Sequence, residues 1–544
     1  MGELLNAYRD MCRKRGWIPR KLIERGLSML EDALDRCEEI VLFLHLPTGY
    51  GKSTVTEALV RASLNSYPFF SRVIHILPMR SIVDDLASRL SKSLPEGVVA
   101  AQHMGIAGSP FFAKKCVITT LDTFILNFSK IPASELRKAL TRNIAHFDFA
   151  RGAIYSSIVV FDEFHLFSGL GTLREEFKSL QSAVGSIVSL ASTGVPVLIL
   201  TATLPEPMEE YIKEELKAAG VEFKTISYSE EELDESVRES LKRRKISFTV
   251  SGEDAVKIVV EKAREKSVLI ILNKVAEAVA IYNELKKRTD SVVLIHGKLP
   301  ERYKKVAINR LLEEKPRIVV STQVVEAGVD ISYDVLISAP CPADRLVQRS
   351  GRVARRDSDI HGEVVVSLKL SRGPYDKEVT ERTIKVFSEK FNGRTVPKLD
   401  FELTSRELIK QVYRGFTIDG RDMYRVITML DENVLLDTYD VKYAINVFCG
   451  FTDSFGLVSA YPEFRVENDL TIGISEREAK HFLRKNRTVV TVDGTLRKLS
   501  DTELHHLTSG GCLAVKMILN NIEGIIVDSI TYREWCGDYL EELP

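Results

Sequence analysis

The chain has 544 residues, room for roughly three to four domains at about 150 residues each. With 44% hydrophobic and 28% charged residues it has material for real cores, and a formal net charge of −1 excludes a chain-wide cationic field, so any nucleic-acid contact must come from a local basic groove. Seven cysteines without a C-x-x-C pair argue against a zinc module, an iron–sulfur cluster or a secreted disulfide framework.

The N-terminal MGELLNAYRDMCRKRGW lacks the apolar core of a signal peptide, and no apolar stretch approaches the ~18 residues of a membrane span. A cytoplasmic protein with no membrane contact is expected. From the start, short apolar runs recur: IVLFLHL at Ile40, RVIHILP at Arg72, CVITTL at Cys116, SIVVFDE at Ser157 and VPVLILTAT at Val195. Each is near-continuously apolar, the pattern of strands buried on both faces of a parallel sheet. Between them, Ser81 to Leu94 places Ile82, Val83, Leu86 and Leu90 on one helical face. The charged SEEELDESVRESLKRRK reads as a hinge. A second series follows, with SVLIILN at Ser267, SVVLIHG at Ser291, RIVVSTQ at Arg317, DVLISAP at Asp334 and EVVVSLKL at Glu363. Residues 1–230 and 231–395 are thus expected to be two α/β parallel-sheet domains. A helix is expected from about Thr404 to Arg414, N-capped by Thr404 or Ser405 and stopped by Gly415, within a linker over 396–422. Residues 423–544, with runs such as AINVFCGF and TVVTVDGTL, form a smaller C-terminal domain without a legible motif.

LPTGYGKST, Leu46 to Thr54, follows the first strand directly. Strand, glycine-rich turn and Lys-Ser opening a helix make a phosphate cradle. Gly49 and Gly51 let the backbone approach the phosphates, Lys52 supplies a point charge, Ser53 offers its hydroxyl to magnesium, and Thr48 and Thr54 complete the loop. The general pattern has glycine where Leu46 stands, at the strand end. FDEFH adds Asp162 as a magnesium ligand and Glu163 to orient or deprotonate the attacking water, both at the carboxyl end of a buried strand. His165 completes a D-E-x-H sequence. In QRSGRVARR, Arg352 and Arg355 are three apart, share a face if helical, and suit arginine fingers.

ILPMRSIVDDL, TTLDTF, FDEFH, TATLP, HGK, STQVVEAGVDI and QRSGRVARR follow the cradle in the order of a superfamily 2 DExH helicase. The set from Leu46 to Arg356 resembles the CRISPR-associated helicase of type I interference systems. The resemblance implies two tandem RecA-like domains plus the smaller C-terminal domain, and ATP with magnesium as cofactors. It places Pro78, Arg80, Thr120 and Asp122 along the strand in the first domain, and His296, Gly297, Thr322 and Gln323 in the second. Thr201 and Thr203 would couple hydrolysis to movement. Asp330 would approach the ribose, and Gly328 and Gln348 would join His165 near the nucleotide. The implied activity is a 3′-to-5′ single-stranded DNA motor recruited by a guide-RNA interference complex. Many relatives begin with an HD-type nuclease domain. Here the cradle starts near residue 46 and none of the ten histidines precedes an aspartate, so a separate HD-type nuclease is the expected partner and no nuclease activity is expected in this chain. A repair or RNA DExH helicase outside CRISPR defence, and a nucleotide-gated scaffold without turnover, are the alternatives. A metal nuclease centred on Asp162 and Glu163 lacks further ligands nearby.

Overall fold

The structure, a computed structural model, describes residues 2–47, 49–103, 106–131, 133–142, 146, 148–167, 178–326, 330–356, 358–418, 457–510 and 512–536. They fall in two compact units that divide at Leu241–Lys242, inside the charged segment expected to be a hinge.

The first unit is built on eight strands: β1 (Val41–His45), β2 (Arg72–Leu77), β3 (Val99–His103), β4 (Ile106–Ala107), β5 (Cys116–Thr120), β6 (Ser157–Asp162), β7 (Val197–Thr201) and β8 (Phe223–Ile226). Their order is β4-β3-β5-β2-β6-β7-β1-β8, and only the β3–β4 pair is antiparallel. The five expected runs are β1, β2, β5, β6 and β7, buried along their lengths apart from half-buried Arg72. Burying each Leu, Ile, Val or Phe there contributes roughly 1.5–3 kcal/mol, which explains why continuous apolar runs settle in the middle of the sheet. Helix Arg80–Ser93 turns Ile82, Val83, Leu86 and Leu90 inward as expected. Register sets the functional edge: Leu77 pairs with Thr120, Asp162 with Leu200, and His45 with Thr201. The carboxyl ends of β5, β2, β6, β7 and β1 therefore lie in a row, where open α/β sheets bind ligands.

The second unit takes residues 242–408 and the described residues from 457 onward. Its first sheet uses β9 (Lys245–Ser251), β10 (Val268–Ile271), β11 (Val292–Ile295), β12 (Ile318–Ser321), β13 (Val335–Ser338), β14 (His361–Ser367) and β15 (Arg394–Pro397). The order is β11-β12-β10-β13-β14-β9-β15, parallel except for edge strand β15. A five-stranded sheet follows, β17-β16-β20-β18-β19, from β16 (Val458–Pro462), β17 (Ile472–Ile474), β18 (Thr488–Thr491), β19 (Leu496–Lys498) and β20 (Ile522–Val527). TVVTVDGTL is the β18–β19 hairpin, turned by Gly494 at φ 81°. AINVFCGF lies outside the described residues.

The helix expected from Thr404 starts earlier, at Lys398, and runs to Tyr413. Ser405 is fully buried inside it and caps nothing; the chain enters straight from β15, and Pro397 needs no amide partner at that junction. Gly415, at φ 82°, is the stop that was expected. Cys12, Cys37, Cys116, Cys341 and Cys536 are free, whereas Cys512 is disulfide-bonded, a cross-link the cysteine count did not suggest. No described helix is long and apolar enough to cross a membrane.

Candidate nucleotide site and strand-facing loops

β1 ends at His45, and the chain turns through Gly49 (φ 80°) and Gly51 (φ 106°), left-handed values that an L side chain resists. A Cβ on Gly51 would also meet Thr54 Oγ1 at 3.3 Å. Helix Lys52–Leu64 begins there without a side-chain cap, which leaves the start of the helix open, as an anion cradle requires. Thr54 folds back, its hydroxyl donating to the Gly51 carbonyl at 2.6 Å. Ser53 is half-buried beside Lys52, and Thr48 lies outside the described residues.

The register row brings FDEFH to this loop. Lys52 Nζ donates to Glu163 Oε1 at 2.6 Å and lies 3.7 Å from Asp162 Oδ1. The Glu163 N–H donates to Asp162 Oδ1 at 2.8 Å, and Glu163 takes φ 51°, a costly turn that aims the two carboxylates at one lysine. Burial alone would raise the Asp162 pKa; the Lys52 charge and His75 outweigh it and hold the carboxyl at about 2. Burial would likewise lower Lys52, and the charges of Glu163 and Asp162 instead hold it above its usual value. Fully buried His165 approaches Thr201 Oγ1 at 3.2 Å and Glu163 Oε2 at 3.8 Å through Nδ1, joining FDEFH to TATLP. Thr203 Oγ1 and Glu163 Oε2 are buried without a hydrogen-bond partner. An open helix start, a lysine, a hydroxyl and an ionised carboxylate fit a magnesium–nucleotide pair, since magnesium takes one or two carboxylates and fills its shell with phosphate and water.

Three residues here were missed in the sequence. His75, fully buried on β2, places Nε2 3.4 Å from Asp162 Oδ2 and Nδ1 2.8 Å from Thr56 Oγ1. A histidine inside the run RVIHILP was the available signal. Tyr50, within the cradle, donates through its hydroxyl to Asp234, which also accepts from the Lys21 N–H; two distant loop residues carry no pairing signal in sequence.

On the same edge, Pro78 is half-buried and Arg80 exposed, while Thr120 and Asp122 are about nine-tenths buried or more at the start of helix Leu121–Phe128. Thr120 Oγ1 donates to Thr123 Oγ1 at 3.2 Å, a local helix-start bond.

In the second unit, His296, Gly297, Thr322 and Gln323 cap β11 and β12, whose ends pair Ile295 with Ser321. Gly297 is exposed, but His296 is fully buried. Residues beyond the first sheet close over this loop: Lys298 pairs with Glu478 and lies 4.8 Å from the Trp535 ring centre, and Arg302 meets Glu467 at 2.8 Å and Asp469 at 2.7 Å. Burial pulls His296 down to about 4, with Lys304 and Lys298 adding to the effect. Thr322 is buried, and Gln323 Nε2 donates to Tyr375 Oη at 3.4 Å.

Arg352 and Arg355 are not on a helix face. Helix Ala343–Ser350 ends at Gly351, Val353 bridges to Tyr333, and Ala354 turns left-handed at φ 45°. Arg352 therefore points inward and donates to the Glu326 carbonyl at 2.5 Å, while Arg355 pairs with Asp330 at 2.9 Å. Arg244 and Lys398 hold the turn by donating to the Ala354 carbonyl at 3.0 and 2.9 Å. Arg349, within the QRSGRVARR motif, is fully buried: it donates to Glu326 Oε1 (2.7 Å), Asn273 Oδ1 (2.8 Å), Ser338 Oγ (3.0 Å) and the Ala339 carbonyl (3.1 Å). Gln348 is half-buried on the helix, and Gly328 lies outside the described residues.

Residues 28–211 match the DEAD/DEAH box helicase profile, and residues 264–358 match the C-terminal profile of the CRISPR-associated nuclease/helicase Cas3. A putative CRISPR-associated nuclease/helicase Cas3 of Methanocaldococcus jannaschii is 24% identical over 450 residues, 74% of this chain and 58% of the relative. The chain is thus similar to Cas3 helicases in both of its matched regions. A second Cas3 relative, the CRISPR-associated helicase of Thermoproteus tenax, is 24% identical over 378 residues, 66% of this chain and 62% of the relative. The chain thus spans about three fifths of these two curated Cas3 proteins. The crystal structure of T. fusca Cas3-AMPPNP superposes with a TM-score of 0.58 at 15% identity, covering 92% of this chain and 70% of that one. The fold is therefore the Cas3 helicase fold, two RecA-like domains and a smaller C-terminal domain.

Proposed function

We propose that the chain is an ATP-driven single-stranded DNA translocase and helicase, moving 3′ to 5′ in type I CRISPR interference. The observation that carries this is Lys52 held against both Glu163 and Asp162 at the carboxyl edge of the first sheet. When bound, ATP with magnesium would supply the reacting phosphoryl group and the divalent charge that steadies it. Gly49, Gly51, Lys52 and Thr54 would bind the phosphates, and Ser53 and Asp162 would hold the metal. Glu163 would take the proton of the attacking water, and its buried, unpartnered Oε2 is the atom suited to it. Arg352 and Arg355 are proposed to meet phosphate oxygens, which requires Arg352 to give up the Glu326 carbonyl and Arg355 to give up Asp330. His165 would carry the state of Glu163 to Thr201. Arg80, exposed beside Thr120 and Asp122, is the strongest candidate for a phosphate contact to the strand. A guide-RNA interference complex is the proposed recruiter, and a separate HD-type nuclease the proposed cutter.

ATPase is measured with and without single-stranded DNA and RNA of equal length, alongside Lys52→Ala and Glu163→Ala. DNA-stimulated turnover lost in both variants is expected, with unwinding of 3′-tailed but not 5′-tailed duplexes. Equal activity in all samples would refute the reading. Cleavage of the strand by the purified chain alone would refute the separate nuclease.

A further inference from the structure

An imidazole inside a fully buried strand is costly unless its nitrogens find partners. His75 is such a group: β2 is buried from Val73 to Leu77, and the ring is inaccessible to solvent. Its Nδ1 lies 2.8 Å from Thr56 Oγ1, and its Nε2, which makes no regular hydrogen bond, is aimed at Asp162 Oδ2 at 3.4 Å. A carboxylate only accepts, so Nε2 carries the hydrogen, and in the neutral ring Nδ1 accepts from the Thr56 hydroxyl. Thr56 is also fully buried, one turn along the helix that opens with Lys52 and Ser53. The other carboxylate oxygen, Oδ1, accepts the Glu163 N–H at 2.8 Å. The Asp162 carboxylate is thus held at Oδ1 by its own chain and faced at Oδ2 by His75, which Thr56 ties to the cradle helix.

We propose that His75 is a positioning residue that braces Asp162 against the cradle helix, fixing the distance between the two magnesium ligands, Ser53 and Asp162. The inference rests on the nucleotide-site reading above. It assigns His75 no contact with nucleotide or metal; it acts through the carboxylate. Outer partners that orient a ligand are typically worth ten- to a hundredfold in metal affinity.

Two isosteric half-replacements separate bracing from simple packing. His75→Gln places an amide N–H where Nε2 stood and keeps the donor to Asp162. His75→Asn keeps a polar group near Nδ1 and loses that donor. Binding of manganese(II) to protein saturated with adenylyl imidodiphosphate is followed by electron paramagnetic resonance, without turnover. The Asn variant is expected to bind manganese about ten- to a hundredfold more weakly, with metal-free nucleotide affinity within about threefold of wild type, and the Gln variant to stay within about threefold on both. Wild-type manganese affinity in the Asn variant, or equal loss in both variants, overturns the brace. Failure of the wild-type protein to bind manganese with nucleotide would overturn the nucleotide-site reading itself.

Discussion

Glu326→Ala would strand a guanidinium in the second unit. Arg349 has no solvent access, and Glu326, about 1% exposed, is its counter-charge at 2.7 Å; the same carboxylate also meets Arg345 at 3.3 Å. Three neutral acceptors, Asn273, Ser338 and the Ala339 carbonyl, would remain and cannot neutralise the charge. Removing one partner of a buried pair costs about 3–5 kcal/mol, because the survivor keeps its desolvation penalty. At about 2–4 °C per kcal/mol for a unit of 150–250 residues, the calorimetric midpoint of the second unit should fall by about 6–20 °C. Glu326→Gln keeps an acceptor and should lose about half as much. Glu326→Leu combined with Arg349→Met removes both charges and should recover to within about 2 kcal/mol of wild type. A Glu326→Ala midpoint within 2 °C of wild type, or a double variant as unstable as the sum of its singles, would refute the reasoning.

His296 makes stability depend on pH. It titrates near 6.5 in the unfolded chain and at about 4 in the fold, so between those values only the unfolded chain binds the proton. Stability is complete above the unfolded value and falls with pH through that window, by about 2 kcal/mol from pH 7 to pH 5; His296→Gln should flatten this part of the thermal-midpoint profile. Gly51→Ala forces a side chain onto φ 106° and against Thr54, a strain of about 1–3 kcal/mol that should weaken nucleotide binding roughly tenfold or more by calorimetric titration.

The two large sheets were legible because their central strands are continuous apolar runs, the pattern of strands buried on both faces of a parallel sheet. The strands missed, β3, β4, β8, β9 and β15, lie toward sheet edges and carry exposed or half-buried positions, so they give no continuous run. The cradle was legible for the same local reason, since every part of it falls within nine consecutive residues. The arginine turn was not. Spacing alone put Arg352 and Arg355 on one helix face, while the helix stop at Gly351 and the left-handed Ala354, held by Arg244 and Lys398 from far along the chain, send one inward and the other to Asp330. His75 stood in plain view as a polar residue in a buried strand, but its partner Asp162 is chosen by register across β2 and β6.

The cover over the His296 loop has a consequence for how the protein is made. Lys298 and Arg302 leave the ribosome on the order of 180 residues before Glu478, Glu467 and Asp469, and Lys298 precedes Trp535 by roughly 240. At about 5–20 residues per second, the β11 edge waits roughly 10–50 s for the chain that seals it. During that interval Lys298 and Arg302 lack their carboxylates. The β11 edge of the second unit is therefore completed only late in synthesis, and a chain cut short before Glu467 would lack these pairings.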